Sequence, residues 1–332
     1  MTNSQTELLG IGNALVDVLA NVEDALIEQE AKKGMVKGAM TLVDENRAKE
    51  IYNAMPAAVE MSGGSAANTM SGFASLGGNC SFIGKVAKDQ LGEVFSHDLK
   101  AQGIHYATNP LQEGPETGRC MILVTPDAQR TMNTFLGASV ELQPQDVDEA
   151  LIQKAGITYL EGYLFDREQA KDAFRKAGAI VKAQGGKLAL TLSDTFCVER
   201  HREDFLDLIE GSVHILFANE DEIKALYQTD DFDDACNRIS GKCEITAITR
   251  SETGSVILSD NERFDIAAIP PSELVDTTGA GDLYASGFLY GLSRNKSLKE
   301  CGYIGSLAAS EVISHMGPRP QTSLADLLKK AA

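Results

Sequence analysis

The sequence predicts an α/β fold with a mostly parallel central sheet, and three observations support this prediction. From about residue 140 onward, short apolar runs alternate with segments of helical periodicity, which is the pattern of βαβ units. Residues 105–137 show no helical period and contain two strand-like runs around the turn Pro126–Asp127–Ala128. The chain has 332 residues, of which 43 % are apolar, so its length allows one large α/β domain or two ordinary ones, with a substantial core.

The N-terminal third supplies strands with few helices to cover them. Its apolar runs predict strands at Leu8–Gly12, Leu15–Ala20, Met40–Val43, Ser81–Ile83, Cys120–Val124 and Thr131–Phe135. Helical periodicity is seen near Glu23 and at Glu45–Asn53, Ser65–Leu76 and Leu91–Ala101. The surplus strands predict a small second sheet that projects from the main body.

The rest of the chain alternates regularly between helix and strand. The predicted strands are Ile157–Leu160, Lys187–Leu192, His214–Ala218 and Glu244–Thr249, followed by the hairpin strands Ser255–Leu258 and Arg263–Ala267. The predicted helices are Val147–Lys154, Glu168–Ala183, Glu203–Ile209, Asp221–Tyr227, Asp233–Ile239, Ala280–Leu292, Leu298–Ser314 and Ser323–Lys330.

Charge and composition exclude several classes of function. Lys and Arg number 30 against 48 Asp and Glu, a formal net charge of −18, which disfavours nucleic acids and anionic membranes as partners. No apolar run approaches the roughly 18 residues of a membrane span, and the N-terminus lacks a signal-peptide pattern. The six cysteines are scattered and the five histidines have no zinc-ligand spacing, so we expect reduced thiols in a cytoplasmic protein.

The strongest motif is Asp276-Thr277-Thr278-Gly279-Ala280-Gly281-Asp282, which runs directly into a predicted helix. Small residues at a helix start leave the backbone N–H groups accessible, and with the helix dipole these form an anion site. Asp282 lies in the first helical turn, where a carboxylate could deprotonate a hydroxyl that attacks a bound phosphoryl group. Alternatively, a threonine caps the helix and Asp282 only complements the dipole.

This motif resembles the C-terminal signature of the ribokinase-like (phosphofructokinase-B) family of carbohydrate and nucleoside kinases. Three further segments resemble motifs of that family, in the same order along the chain. They are Gly63-Gly64-Ser65-Ala66-Ala67-Asn68-Thr69, Asn219-Glu220-Asp221-Glu222, and the turn from Thr249 to Gly254. The resemblance implies a single domain over residues 1–332 with a three-layer α/β/α core. It also implies a discontinuous β-sheet lid drawn from about 13–44 and 105–137.

The resemblance also implies a role for each motif. Asp282 would be the general base, and the amides of Gly279, Ala280 and Gly281 would stabilise the transferring phosphoryl group. ATP would bind at Asn219, Thr249, Gly254 and Gly281. Arg130, after the lid turn, would lie near the transferred phosphate, although an exposed hairpin arginine is an equal alternative.

Cations would bind at two places. Asn219 and Glu222, three residues apart on one helical face, could hold Mg²⁺ through water, although the same spacing is that of a capping box. In the family, Asp276 and Thr278 match the acid and threonine of a monovalent-cation site, which implies K⁺.

The substrate is predicted from the N-terminal half. The resemblance assigns the sugar hydroxyls to Asp17, and the glycines Gly63 and Gly64 with Asn68 would let a sugar lie against the backbone. Helix-entry glycines and a capping residue are the alternative for those three. Gly12-Asn13-Ala14-Leu15-Val16-Asp17 is most similar to the family members that phosphorylate adenosine, in which Asn13 would contact ribose.

Tyr163 and Phe165, after a predicted strand, match an aromatic pair that contacts the purine in those members, although aromatics at a strand end often belong to the core. The predicted activity is therefore ATP-dependent phosphorylation of the 5′-hydroxyl of a purine nucleoside, with adenosine first and inosine or guanosine as alternatives. A free sugar such as ribose or fructose, or a non-catalytic nucleoside or sugar sensor, remains open. The expected partner is a small molecule, and the assembly a monomer or homodimer.

Overall fold

The computed structural model describes residues 6–127, 129–260 and 262–331; Ala128 of the predicted turn lies outside them. The strands, in chain order, are β1 (Leu8–Ile11), β2 (Leu15–Asn21), β3 (Met40–Leu42), β4 (Val59–Gly63), β5 (Cys80–Ile83), β6 (His105–Tyr106), β7 (Gly118–Val124), β8 (Arg130–Phe135), β9 (Ile157–Glu161), β10 (Lys187–Thr191), β11 (Ile215–Asn219), β12 (Ile245–Thr249), β13 (Ser255–Ser259) and β14 (Glu262–Ile266). The α-helices are α1 (Asp24–Ala31), α2 (Glu45–Ala54), α3 (Ser65–Ser75), α4 (Gln90–Ala101), α5 (Glu149–Lys154), α6 (Glu168–Gln184), α7 (Thr195–Gly211), α8 (Glu220–Tyr227), α9 (Phe232–Ile239), α10 (Ala280–Ser293), α11 (Leu298–Val312) and α12 (Leu324–Ala331).

The larger sheet has the strand order β14-β13-β12-β11-β10-β9-β1-β5-β6. Its strands pair in parallel from β6 to β12, and β13 and β14 close one edge as antiparallel neighbours. β1 lies between β5 and β9, and all four of its residues are buried. Such continuous apolar strands are typical of a parallel sheet that helices cover on both faces.

Alternate residues of the larger sheet enter two different hydrophobic cores. Leu9, Ile11 and Leu160 pack with buried residues of α6, α7, α8 and α9. Leu8, Tyr159 and Ala189 pack instead with α3, α4, α10 and α11. Because successive side chains of a strand point to opposite faces, the helices form one layer on each side of the sheet. This confirms the predicted three-layer α/β/α arrangement.

The smaller sheet has the order β3-β8-β7-β2-β4, with β2–β7 and β3–β8 parallel and β2–β4 and β7–β8 antiparallel. Residues of α1 and α2 cover one of its faces, with Ile27 and Ile51 packing against Met121 and Leu123. Only Gly12–Ala14 separate β1 in the larger sheet from β2 in the smaller one. Side chains of β2 therefore lie next to the carboxyl ends of the parallel strands.

Three elements differ from the sequence-based expectation, and one of them is β6 (His105–Tyr106), a short edge strand next to β5 that was not predicted. β4 was not predicted, and it adds residues 59–63 to the smaller sheet as an edge strand next to β2. The helix predicted at Glu203–Ile209 begins at Thr195, where the Asp194 side chain accepts a hydrogen bond from the Cys197 N–H, and it is kinked at His201. The β-branched and aromatic residues of its first turn hid this start because they favour strands.

In the described part of the chain, the six cysteines are buried and form no disulfide bond. Within the same residues, the helices include none with the length and apolar character needed to cross a membrane.

Candidate active site

The N-terminus of α10 forms the floor of the site. Gly279 precedes the helix with φ 80°, and a Cβ there would lie 2.9 Å from Cα of Pro318, so only glycine fits. Gly281 is exposed, and a Cβ at this position would meet no atom within 4 Å. The N–H groups of a first helical turn have no acceptor within the helix. Together with the positive end of the helix dipole, such groups can bind an anion, and the anion site that the motif predicts stays a prediction.

Asp282 is held in that first turn by two donors from α3. The Ser65 hydroxyl donates to Oδ1 at 2.6 Å, and the Asn68 amide nitrogen donates to Oδ2 at 3.0 Å. The side chain is half-buried, and burial raises the pKa of its carboxyl group. Each carboxylate oxygen keeps a lone pair for a substrate proton, so the group is oriented but not saturated.

Arg319 is a residue of the site that the sequence analysis missed. Its Nε donates to Oδ1 of Asn68 at 2.9 Å, which orients the Asn68 amide so that Nδ2 faces Asp282. Burial lowers the pKa of Arg319 to about 10, and its charge lowers the pKa of both Asp17 and Asp282. No motif marked Arg319, because its contacts come from helix α3, more than two hundred residues away.

Asp17 is the second carboxylate of the site, and it extends from β2 of the smaller sheet. It is only 6 % exposed, and burial raises the pKa of its carboxyl group to about 6. A Cβ at Gly63 would lie 2.5 Å from both carboxylate oxygens, so glycine at this position makes room for Asp17. Among the described residues no group donates a hydrogen bond to this carboxylate. Its oxygens are therefore free to accept hydrogen bonds from a ligand.

Asn13 and Glu161 support the start of α3 from behind. The Asn13 amide nitrogen donates to Oε1 of Glu161 at 2.8 Å, and the Ala66 N–H donates to Oε2 at 2.8 Å. Gly64, the residue before α3, packs against the carbonyl group of Asn13. Burial raises the pKa of Glu161 to about 7. The structure thus gives Asn13 a contact within the protein, and its ribose contact stays a prediction.

Asn219 and Glu222 form a capping box, which is one of the two arrangements that their spacing allows. The Asn219 N–H and amide nitrogen donate to Glu222 at 2.9 and 2.7 Å, and the Glu222 N–H donates to Oδ1 of Asn219 at 2.8 Å. Burial, together with the charges of Asp194, Asp221 and Asp282, raises the pKa of Glu222 to about 7. A cation in this acidic neighbourhood would stabilise the charged form of Glu222.

These residues fit a magnesium ion that is held through water. Within residues 6–127, 129–260 and 262–331, no three His, Cys, Asp or Glu side chains converge to coordinate a metal ion directly. Mg²⁺ usually keeps several waters and takes one or two carboxylates together with substrate phosphates. The single buried carboxylate of Glu222 agrees with that mode of binding.

The predicted monovalent-cation site at Asp276 and Thr278 stays a prediction, but a cationic side chain of this chain contacts both residues. Arg130 of β8 reaches across from the smaller sheet, and its Nη1 donates to Oδ1 of Asp276 at 2.5 Å and to the hydroxyl oxygen of Thr278. The alternative interpretation of Arg130, as an exposed hairpin arginine, is wrong, because its side chain is only 7 % exposed. A guanidinium group lies where the family resemblance implied K⁺.

The aromatic prediction was wrong for Phe165. Its ring stacks on Phe205 with a centroid distance of 4.3 Å and packs edge-on against Phe174, inside the core on the α6–α7 side of the sheet. The side chain is 3 % exposed, so it has no free face for a purine. Tyr163 is only partly buried, and its hydroxyl donates to the carbonyl of Ser193 at 3.2 Å.

Thr249 and Gly254 flank the turn between β12 and β13. Thr249 pairs in register with Asn219 of β11, so the turn lies beside the capping box at the same edge of the sheet. Arg250 between them is engaged elsewhere, since its Nε donates to Glu220 at 2.7 Å and its guanidinium lies over the Phe232 ring. The predicted nucleotide contacts of Thr249 and Gly254 stay predictions.

The chain matches known kinases over nearly its whole length. Residues 35–324 match the family model described as pfkB family carbohydrate kinase. The solved structure of an adenosine kinase from Sinorhizobium meliloti is 50 % identical with a TM-score of 0.92, and the match covers 99 % of this chain and 100 % of that one. A probable sugar kinase from Rhizobium etli is 49 % identical with a TM-score of 0.92, and the match covers 98 % of each chain.

More distant relatives carry two different names. Adenosine kinase 2 of Arabidopsis thaliana is 25 % identical, with 93 % of this chain and 94 % of that protein covered. The 5-dehydro-2-deoxygluconokinase of Shouchella clausii is 27 % identical, with 80 % of this chain and 84 % of that protein covered.

Proposed function

The chain belongs to the pfkB family of carbohydrate kinases, and on that premise we propose that it transfers the γ-phosphoryl group of ATP to the 5′-hydroxyl of adenosine. Family membership makes it a phosphotransferase that acts on an alcohol group of a nucleoside or sugar. The family implies ATP as the phosphoryl donor and Mg²⁺ as the accompanying metal ion. The choice of adenosine is supported by the adenosine kinase of Sinorhizobium meliloti, which matches over the full chain at 50 % identity.

The observation that carries this proposal is the position of Asp282. Ser65 and Asn68 fix its two carboxylate oxygens at 2.6 and 3.0 Å, in the helical turn whose N-terminus is the proposed anion site. A base in this position accepts the proton of the 5′-hydroxyl as the ribose oxygen bonds to the γ-phosphorus. The bond from the γ-phosphorus to the bridging oxygen breaks, ADP leaves, and Asp282 releases the proton to solvent.

The small residues before α10 have the complementary role. The N–H groups of Gly279 and Gly281 would stabilise the negative charge that develops on the transferring phosphoryl group. The Ala280 N–H, which donates to the carbonyl of Thr277 at 3.2 Å, would have to exchange that partner to join them. Mg²⁺, when bound with ATP, neutralises phosphate charge, and Asn219 and Glu222 would hold it through water. Thr249 and Gly254, on the next strand and turn, would contact the nucleotide.

The ribose would lie between the two sheets. Asp17 offers unpaired carboxylate oxygens to vicinal hydroxyls, and Gly63 and Gly64 leave the backbone open beside it. Asn68 lies between the ribose-binding residues and the catalytic base, because its amide nitrogen donates to Asp282. The smaller sheet, from about 13–44 and 105–137 with the addition of β4, would act as the lid that excludes water from the reaction.

A free sugar is the second candidate acceptor. The match to a 5-dehydro-2-deoxygluconokinase favours it, because that protein is 27 % identical over 80 % of this chain. The base Asp282, the anion site and the hydroxyl-binding carboxylate Asp17 would serve a free sugar as well as a nucleoside. The burial of Phe165 also removes one of the side chains proposed for purine contact.

The test is ADP release by the purified chain with Mg-ATP and, in separate reactions, adenosine, inosine, guanosine, ribose, fructose and 5-dehydro-2-deoxygluconate. We expect turnover with adenosine far above the others, and AMP as the product by chromatography. 5′-Deoxyadenosine is the matched control, since it keeps the base and the vicinal hydroxyls but lacks the acceptor oxygen. Preferred turnover of a sugar would overturn the choice of adenosine and leave the role of Asp282 intact.

A further inference from the structure

The contact between Arg130 and Asp276 joins β8 of the smaller sheet to the loop that leads into α10. Asp276 is 5 % exposed and accepts three hydrogen bonds, from the Thr278 N–H at 3.0 Å, the Gly317 N–H at 2.9 Å and Arg130 at 2.5 Å. A buried carboxylate is stable only with a compensating charge and filled hydrogen-bonding positions. Arg130 provides that charge from within the chain.

We infer that Arg130 is the resident cation of the site formed by Asp276 and Thr278, so that this kinase works without a monovalent metal ion. The oxygens that a K⁺ ion would use are the Asp276 carboxylate and the Thr278 hydroxyl, and one guanidinium nitrogen takes both. A guanidinium stays protonated across the physiological pH range. An entering ion would have to displace it and leave a buried arginine without its partner.

The position of Arg130 also connects two parts of the molecule. It belongs to β8 of the smaller sheet, whereas Asp276 and Thr278 belong to the loop that leads into α10. The ion pair therefore ties the proposed lid to the anion site, which no free ion does. The other two guanidinium nitrogens, Nε and Nη2, are buried and have no hydrogen-bond partner among the described residues. They leave Arg130 with donors that a bound anion would satisfy.

The inference rests on the chain being a kinase and not on the identity of its acceptor. It is tested by thermal unfolding and by ADP release in KCl, NaCl and choline chloride at one ionic strength. The variants are Arg130→Gln, which removes the charge, and Arg130→Lys, which keeps it. Lys37→Gln is the control, because Lys37 forms ion pairs on the outer surface near the same hairpin, with Asp127 at 2.8 Å and Asp24 at 2.6 Å.

For the wild type, we expect the Tm and the rate of ADP release to be the same in all three salts. The Lys37→Gln variant should show the same independence of the salt. Arg130→Gln should lose activity in choline chloride by roughly 100-fold, the scale for losing one electrostatic group at a transition state. KCl should then restore part of that activity and raise the Tm of this variant, because the vacated oxygens bind the ion. If Arg130→Gln folds only in KCl, the same conclusion holds.

Two outcomes would overturn the inference. One is activation of the wild type by KCl over choline chloride, since an ion would then bind with Arg130 present. The other is an Arg130→Gln variant that is impaired equally in every salt without any K⁺-dependent rise in Tm. If Arg130→Gln does not fold in any salt, Arg130→Lys decides, because a retained charge should keep the rate independent of K⁺. The unfolding measurements need no acceptor, so they stand if adenosine is not the substrate.

Discussion

The two carboxylates of the site, Asp282 and Asp17, differ in how the protein holds them. Asp282 lies in the first turn of α10, where Ser65 and Asn68 donate to its two oxygens. Asp17 lies on a strand of the other sheet, is buried against Gly63, and has no donor among the described residues. Burial raises the pKa of both groups. The two groups differ in orientation and in the number of lone pairs left for a ligand.

This difference separates two tasks that a carboxylate performs in a kinase site. A general base must face one proton in one direction, and donors on both oxygens provide that orientation. A group that binds hydroxyls must instead keep its lone pairs for the ligand, and Asp17 has them. The comparison predicts that changes at Asp282 act on kcat and changes at Asp17 act on KM.

The largest effect is expected for Asp282→Asn. The amide keeps the shape of the side chain but accepts no proton, so kcat should fall by about 10³-fold while nucleoside binding remains. Steady-state kinetics and calorimetric titration with adenosine measure the two quantities. Asp265→Asn, at an exposed acid of β14, controls for the loss of one negative charge. Near wild-type turnover of Asp282→Asn would contradict the assignment of the base.

The second prediction concerns Asp17→Asn, which replaces an anionic acceptor by a neutral group with one carbonyl oxygen. Hydrogen bonds to a charged group are stronger, so KM for the acceptor should rise about 10- to 100-fold while kcat changes much less. Initial rates over a range of acceptor concentrations at saturating ATP measure both. A fall in kcat with unchanged KM would show that Asp17 does not bind the acceptor.

The pH dependence of the wild type extends this comparison. The pKa of Asp17 is raised to about 6, and only its deprotonated form accepts from two hydroxyls. The value of kcat/KM for the acceptor should therefore fall as the pH drops through about 6 and be steady above it. The profile is measured between pH 5 and 9 at saturating ATP. If the Asp17→Asn variant kept the same acid limb, that limb would belong to another group.

The smallest effect is expected for Ser65→Ala, which removes one of the two donors that orient Asp282. One hydrogen bond to a carboxylate is lost while Asn68 still holds the other oxygen, so kcat should fall only about 5- to 10-fold. Ser65→Thr, which keeps a hydroxyl, should restore most of the rate. A loss as large as that of Asp282→Asn would mean that Ser65 itself takes part in proton transfer.

The fold was largely predictable because its signals are local. Apolar runs such as Leu8–Ile11 and Ile157–Glu161 are buried through their whole length, as parallel strands between two helical layers require. The edge strand β4 and the first turns of α7 were missed. β4 is mostly exposed or half-buried, so it lacks the buried pattern, and the sequence Thr195–Val198 favours a strand by propensity.

The site was predictable only where its chemistry lies in a short motif. Asp282 and Gly279 belong to one such motif, and the structure places them together at a helix N-terminus. Glu161 accepts a hydrogen bond from the Ala66 N–H, and Arg319 donates to Asn68. Both partners are distant in sequence, so no local pattern predicts these contacts. The same reason applies to the contact that Arg130 makes with the predicted K⁺ site. Asp276 and Thr278 lie in one motif, but the arginine that takes their oxygens lies on a strand far from them in sequence.

The central position of β1 has a consequence for the synthesis of the chain. β1 leaves the ribosome before its neighbour β9, which follows only when Ile157 has been made. At about 5–20 residues per second, that delay is roughly 7 to 30 s. β5 covers one edge of β1 earlier, through the pairing of Leu8 with Cys80. The other edge stays open in the meantime, so chains that stall before Ile157 present the apolar strand Leu8–Ile11 for pairing with other nascent chains.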